Sequence, residues 1–192
     1  MQVEVIAKRT IYDGFLKLEE TTLRYELFDG TMSEEVTRLN VERGDSVAAV
    51  VVDADNGSVI LTNQFRYPTY TKDGGWLLEL PAGTVEEGQE PVEAMKRELI
   101  EELGLPVRRI HHITTFYTSP GGLSERVWLY YAEVSQSDRV SRGGGLAAEG
   151  EDIQACLLRE DEVAPAIGNG RIRDAKSLIG LLWLTSRADI VP

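Results

Sequence analysis

Gly83-Thr-Val-Glu-Glu-Gly-Gln-Glu-Pro-Val-Glu-Ala-Met-Lys-Arg-Glu-Leu-Ile-Glu-Glu-Leu-Gly-Leu105 is the stretch whose reading decides the fold. Proline suits the first turn of a helix and glycine the position just past its end, so the spacing predicts a helix from Glu90-Pro91 to Leu103, closed by Gly104. At about 100° per residue, Val92, Met95, Leu99 and Leu103 share one apolar face. Glu98, Glu101 and Glu102 fall on an adjacent face, related by i, i+3 and i+4. Ionised neighbours at these spacings repel by a few tenths of a kcal/mol per pair. Two readings follow: a solvated acidic face, or a set of oxygen ligands for a hard cation. Mg²⁺ accepts carboxylate oxygens and shares its remaining positions with water and substrate phosphates.

Outward from this stretch, the 192 residues suffice for one well-packed domain plus a small accessory lobe. The net charge of −12 argues against long polyanions, so no nucleic-acid partner is expected. It leaves room for a small anionic substrate if a divalent cation stands between carboxylates and phosphates. No apolar run approaches the ~18 residues that span a bilayer, so no membrane association is expected, and Met1 to Thr10 has no signal-peptide core. A single cysteine cannot form an internal disulfide, which points to a reducing cytoplasm. Cys156 lies in Ala155-Cys156-Leu157-Leu158 and is expected to be a buried structural thiol.

Residues 1–44 read as short strands (Val3 to Tyr12, Thr21 to Phe28, Val36 to Val41), with Asp29-Gly30 where a hairpin needs positive φ. This piece is too small to bury its own core and should pack on the rest or on a second copy. In residues 45–192, strands are expected at Ser46 to Val52, Val59 to Phe65, Trp76 to Leu80, Ile110 to Tyr117, Glu125 to Val134 and Asp152 to Leu158, with Asp55-Asn56-Gly57 as a turn. A short helix is expected at Glu160 to Ile167. A longer one is expected at Asp174 to Ser186, laying Leu178, Ile179, Leu182 and Trp183 against the sheet. The order implies an α+β fold, a mixed sheet between helices. His111 and His112, adjacent on a strand, point to opposite faces and should not share an ion.

The order G-x5-Gln89-x7-R-E-L-I-E-E-L-G-L resembles the Nudix box, G-x5-E-x7-R-E-U-x-E-E-x-G-U with U aliphatic, at every fixed position but one. The resemblance implies the Nudix α/β/α sandwich and a hydrolase that uses Mg²⁺, with Mn²⁺ as a substitute. By position, Glu98 and Glu102 would be the main metal ligands, Glu101 would assist, and the Ala82 carbonyl would add another oxygen. Gly83 suits a backbone that must approach closely. The departure is Gln89, where the family has a glutamate that pairs with the box arginine, here Arg97. Activity with weaker metal affinity is expected, with a binding-only protein as the other outcome.

Beyond the box, Glu79-Leu-Pro-Ala-Gly83, Thr118-Ser-Pro-Gly-Gly-Leu-Ser-Glu-Arg126, Gly145-Leu-Ala-Ala-Glu-Gly-Glu-Asp-Ile153 and Gly170-Arg-Ile-Arg-Asp-Ala-Lys-Ser177 look like the ADP-ribose pyrophosphatase branch, whose neighbours are the GDP-mannose hydrolases. Pro120, about sixteen residues after Gly104, is where that branch has a proline associated with ADP-ribose. The resemblance implies a homodimer that exchanges the N-terminal lobe. It further implies substrate contacts from Arg66, Gly121, Ser124 and Glu125, with Phe15 a stacking aromatic by position or simply a half-buried strand residue. The catalytic base would come from the glycine-rich loop after Arg142: Glu149 first, Glu151 second. The implied reaction is Mg²⁺-dependent hydrolysis of ADP-ribose to AMP and ribose 5-phosphate. GDP-mannose or another nucleoside diphosphate sugar is the alternative substrate, and a silent ADP-ribose sensor the alternative function.

Overall fold

A computed structural model describes residues 1–187, which divide into two compact units. The first comprises Met1–Asp45 together with Tyr117–Arg126. Its sheet is antiparallel, in the order β1 (Val3–Asp13), β2 (Lys17–Tyr25), β3 (Val36–Glu42). Strand β2 ends before Phe28 because the chain turns at Leu27–Gly30: Gly30 takes φ +83°, and Asp29 accepts from both the amide and the hydroxyl of Thr31. Every residue of β1 is exposed, including Val3, Val5, Ile6 and Ile11. The loop carrying Gly121 to Glu125 joins this unit: Val41 donates its amide to the Gly122 carbonyl, and the Ser124 amide donates to Val41.

The second unit is a seven-stranded mixed sheet between helices. Its strands are β4 (Ser46–Asp53), β5 (Val59–Phe65), β6 (Trp76–Glu79), β7 (Ala82–Thr84), β8 (Arg109–Tyr117), β9 (Arg126–Val134) and β10 (Gln154–Leu158), in the order β10-β5-β4-β9-β8. Strand β6 pairs with β5, and β7 with β4. Strand β4 runs parallel to β9 and antiparallel to β5. Val47 to Val51 are all fully buried because helices cover both faces, and a strand so placed reads as an unbroken apolar run rather than an alternating one. Between β5 and β6 lies one turn of helix, α1 (Tyr70–Asp73).

Helix α2 (Pro91–Leu103) covers one face, packing Ala94, Met95, Leu99 and Leu103 on Val47, Ala49, Val51 and Ile60. Helices α3 (Glu160–Gly168) and α4 (Ala175–Arg187) cover the other with Val163, Ala166 and Leu181. Each fully buried leucine contributes about 1.5–3 kcal/mol. The α+β class, the mixed sheet and the expected helices are all present.

Two expectations need correction. Helix α4 buries Leu181 and packs Leu178 and Leu184 on the core, while Ile179 and Leu182 point outward. The cause is close approach at Gly180, where a Cβ would lie 2.7 Å from Val50 Cγ2 and 2.8 Å from Leu80 Cδ1; this rotates the buried stripe onto the face that Gly180 and Leu181 share. Cys156 is only half-buried, because β10 is an edge strand. Ala82–Thr84 adds a short strand that pairs with Ser46–Ala48. No helix among the described residues is long and apolar enough to cross a membrane.

Candidate functional site

Helix α2 starts at Pro91 and closes on Gly104, whose φ of +69° is the left-handed conformation that a C-terminal cap uses. It turns two of its three carboxylates into the protein rather than to water: Glu98 is 8% exposed and Glu102 2%. Helical geometry puts both beside Met95 and Leu99, so burying the apolar stripe carries them in with it. Glu101 stays partly exposed and is held by Arg97, whose Nη1 donates to its Oε2 at 2.8 Å. The other amine of Arg97, Nη2, lies 3.0 Å from Glu98 Oε1 and donates to the Thr84 carbonyl at 3.1 Å. One guanidinium thus ties the helix to the β7 turn.

Burial pushes the Glu98 carboxyl up to about 7, against the pull of Arg97 and with a further push from Glu101 and Glu151. Glu102 is raised well above the ordinary carboxylate range, first by burial and then by Glu98 and Glu151. Its Oε2 is buried with no hydrogen-bond partner among the described residues. A Cβ on Gly83 would fall 1.9 Å from Glu98 Oε1, so the carboxylate occupies the space that only glycine leaves. No three carboxylate, histidine or cysteine side chains form a ready-made cage among the described residues, and Arg97 engages Glu101 and one oxygen of Glu98. Two buried carboxylates, one oxygen of them unpartnered, still match a Mg²⁺ ion that keeps several waters and meets substrate phosphates. The residues present therefore fit a divalent cation.

A second group of charged side chains is built around Glu79, whose partners have no local signal in the sequence. Glu79, 2% exposed at the end of β6, accepts from Arg66 Nε at 2.7 Å and from Lys176 Nζ on its other oxygen. Lys176 also donates to Asp174 Oδ2 at 3.0 Å, and Asp174 accepts from the Ser177 amide. The Ser177 hydroxyl in turn receives the Leu80 amide at 2.7 Å. The start of α4 is thereby fastened to Glu79-Leu80, with Arg66 held at one end. Arg66 lowers and Glu79 raises the Glu102 carboxyl, each less than burial, Glu98 and Glu151 do. The available signal was a glutamate closing an apolar strand, Trp76-Leu-Leu-Glu79.

The glycine-rich loop is docked on the end of α2, where the Gly144 and Gly145 amides donate to the Glu102 and Glu101 carbonyls at 2.8 and 3.0 Å, and it carries Glu151, which raises the Glu98 and Glu102 carboxyls further. Its Oε2 accepts from the Leu146 amide at 2.9 Å, and Gly145 leaves room for it: a Cβ there would lie 2.7 Å from that oxygen. Glu149 ends an exposed 3₁₀ turn, Ala147–Glu149. Nearby, a cleft of about 350 Å³ is lined by Asn63, Trp76, Arg142, Asp152, Ile153 and Gln154. Gln89 accepts from the Glu86 amide at 3.2 Å, so its side chain closes the loop before α2. His111 stacks on Tyr131 at 4.9 Å while His112 meets Thr115 at 2.9 Å, on opposite faces.

The remaining substrate candidates lie in the first unit. Phe15 is 93% exposed at the β1–β2 turn, not half-buried. Ser124 donates to Glu42 at 2.5 Å, and Glu125 is buried, accepting from the Thr118 hydroxyl at 3.1 Å with Arg43 Nε 3.7 Å away. Nothing lies within 4 Å of a Cβ built on Gly121.

A NUDIX domain model matches residues 42–143. The ADP-ribose pyrophosphatase of Escherichia coli is 40% identical over 95% of this chain and 87% of its own length. The GDP-mannose pyrophosphatase of Pectobacterium atrosepticum is 32% identical over 92% of this chain and 91% of its own. Among solved structures, one described as an ADP compounds hydrolase superposes with a TM-score of 0.73 over 97% of this chain and 96% of that one; at 17% identity it speaks for the fold alone.

Proposed function

Since the chain belongs to the Nudix hydrolase family, we propose that it hydrolyses the pyrophosphate of a nucleoside diphosphate sugar, ADP-ribose before others, giving AMP and ribose 5-phosphate. The observation that carries this reading is the buried Glu98–Glu102 pair, with one carboxylate oxygen left unpartnered. A divalent cation is the group that stabilises such a pair. ADP-ribose ranks first on the 40% full-length likeness, and GDP-mannose is the second reading on the 32% likeness.

Glu98 and Glu102 would hold Mg²⁺, or Mn²⁺ in its place, with Glu101 assisting and the Ala82 carbonyl adding an oxygen. When bound, the cation neutralises the diphosphate and stabilises the charge that develops as the P–O bond breaks. Arg66, steadied at Nε by Glu79, keeps its terminal amines for a phosphate. Glu149 takes the proton from the attacking water, and Glu151, anchored to the Leu146 amide, steadies the loop that carries it. Phe15, Gly121, Ser124 and Glu125 are assigned to the nucleoside and sugar. The working form is a homodimer exchanging N-terminal strands, a state favoured by the exposed apolar residues of β1. The lone cysteine favours a reducing cytoplasm.

A panel of ADP-ribose, GDP-mannose and other nucleoside diphosphate sugars, with and without Mg²⁺, tests the reading. ADP-ribose turnover above the others and dependent on the cation is expected. Preferred turnover of GDP-mannose reverses the ranking, and calorimetric binding of ADP-ribose without products at millimolar Mg²⁺ makes the protein a sensor. Sedimentation at micromolar concentration is expected to give twice the 21.3 kDa chain mass.

A further inference from the structure

Gln64 lies on β5 and is 6% exposed, yet its Oε1 has no hydrogen-bond partner among the described residues. Alternation along the strand fixes which way it faces. Ile60, four residues earlier, packs with Ala94, Met95 and Leu99 on the α2 side of the sheet. Thr62, two residues earlier, is paired with Glu79 and donates its hydroxyl to the Glu79 carbonyl. Arg66, two residues later, donates Nε to the Glu79 carboxylate. Gln64 therefore stands between Thr62 and Arg66 on the wall that faces the carboxylates of α2. The carboxylates around this corner, Glu79, Glu98, Glu102 and Glu151, accept hydrogen bonds when ionised and offer none. Buried polar groups are otherwise almost always paired. An amide oxygen, Gln64 Oε1, and a carboxylate oxygen, Glu102 Oε2, both without a partner among the described residues and on facing elements of one site, call for a visitor that satisfies both.

We infer that Gln64 is a positioning residue for the cation: its amide oxygen accepts a hydrogen bond from a water in the hydration shell of the ion held by Glu98 and Glu102. The inference rests on the cation site proposed above. A hydrated Mg²⁺ or Mn²⁺ brings donors that the ionised carboxylates of α2 lack, and an outer partner of this kind fixes the ion without touching it. The amide also explains why an apolar strand carries a glutamine at a position buried on the core side.

Calorimetric titration of Mn²⁺ into the full chain, its Gln64→Met and Gln64→Glu variants, together with thermal melts of the metal-free proteins, tests it. Methionine keeps the length of the side chain and removes the acceptor; glutamate keeps the acceptor. Gln64→Met is expected to lose about 10–100-fold in Mn²⁺ affinity and to melt, without metal, no lower than the wild type. Gln64→Glu is expected to bind Mn²⁺ at least as tightly as the wild type. Wild-type affinity in Gln64→Met overturns the inference and leaves the proposed function standing. A lower metal-free melting temperature or failure to fold in Gln64→Met overturns it as well, since the amide would then be a structural partner. A Gln64→Glu variant as weak as Gln64→Met overturns the acceptor role, and a wild type that binds no Mn²⁺ overturns both this inference and the cation site.

Discussion

Glu79 and Glu102 are equally buried, each 2% exposed, and the protein treats them in opposite ways. Glu79, on β6, has a cation on each oxygen, Arg66 Nε and Lys176 Nζ. Glu102, on α2, has an oxygen with no partner among the described residues, and Glu98, Glu151 and Glu79 itself press on it. A buried carboxylate that is fully paired stabilises and orients what it touches; one left unpaired in a fold's interior is a cost that selection removes unless a ligand uses it. The difference separates the frame of the site from its reactive side. The largest expected effect breaks the comparison on the reactive side. Glu102→Gln is expected to lower turnover by about 10³-fold, the rate equivalent of several kcal/mol of lost cation stabilisation, while its metal-free melting temperature stays level or rises. A drop in metal-free stability comparable to that of a broken ion pair would mean Glu102 is framework like Glu79.

The second prediction breaks the framework side. Lys176→Met leaves one oxygen of buried Glu79 without its cation, and removing one partner of a buried pair costs about 3–5 kcal/mol. Retained Arg66 puts the expected loss at the lower end, about 3 kcal/mol, read by denaturant melting with Mg²⁺ absent. The KM for the sugar nucleotide should rise with it, because Arg66 loses part of what steadies it. An unchanged melt would show that Asp174 and Ser177 alone fasten α4.

These two glutamates also mark the limit of what the sequence made legible. Helix α2, its glycine stop and its three candidate carboxylates follow from spacing, since both the apolar stripe and the carboxylates recur at the helical period. How deep Glu98 and Glu102 lie does not follow, because it depends on the sheet that covers them. The Glu79–Lys176 contact joins residues 97 apart in the chain and has no local pattern at all. Glu79 and Lys176 both sit in segments that resemble the branch, yet resemblance gives position without partners. The α4 stripe is only half legible for a related reason: Leu178 packs on the core as expected, but Ile179 and Leu182 fit a helix face as well as Leu181 does, and the Gly180 approach to Val50 and Leu80 decides between them.

A pH series sharpens the same contrast. An unfolded chain releases the Glu98 proton near the ordinary value of 4.5, whereas the folded chain without metal holds it to about 7. Between these values the folded state binds more protons than the unfolded, so stability of the metal-free protein falls as pH rises across that window. Glu102, raised for the same reason, pushes in the same direction. The cation replaces those protons, so the increase in melting temperature on adding Mg²⁺ is expected to be larger at pH 8 than at pH 5. An increase that is equal at the two values would separate metal binding from these carboxyls.

The smallest effect is expected where the box departs from its pattern. Gln89 accepts from the Glu86 amide, closing the turn ahead of α2. Arg97, the side chain that the box glutamate would pair with, already has Glu101, Glu98 and the Thr84 carbonyl around its two terminal amines, and its buried Nε has no partner among the described residues. A carboxylate at position 89 would keep the bond to the Glu86 amide and add charge beside Glu86, Glu87 and Glu90. Attraction to Arg97 and repulsion from those neighbours oppose each other at a half-exposed position, where a charge pair is worth about 0–1 kcal/mol. Gln89→Glu is therefore expected to change turnover and Mn²⁺ affinity by less than about fivefold, the equivalent of 1 kcal/mol. A gain of 100-fold or more would show that the glutamine restrains the cation site, and would move position 89 from the frame of the loop to the reactive side that Glu102 represents.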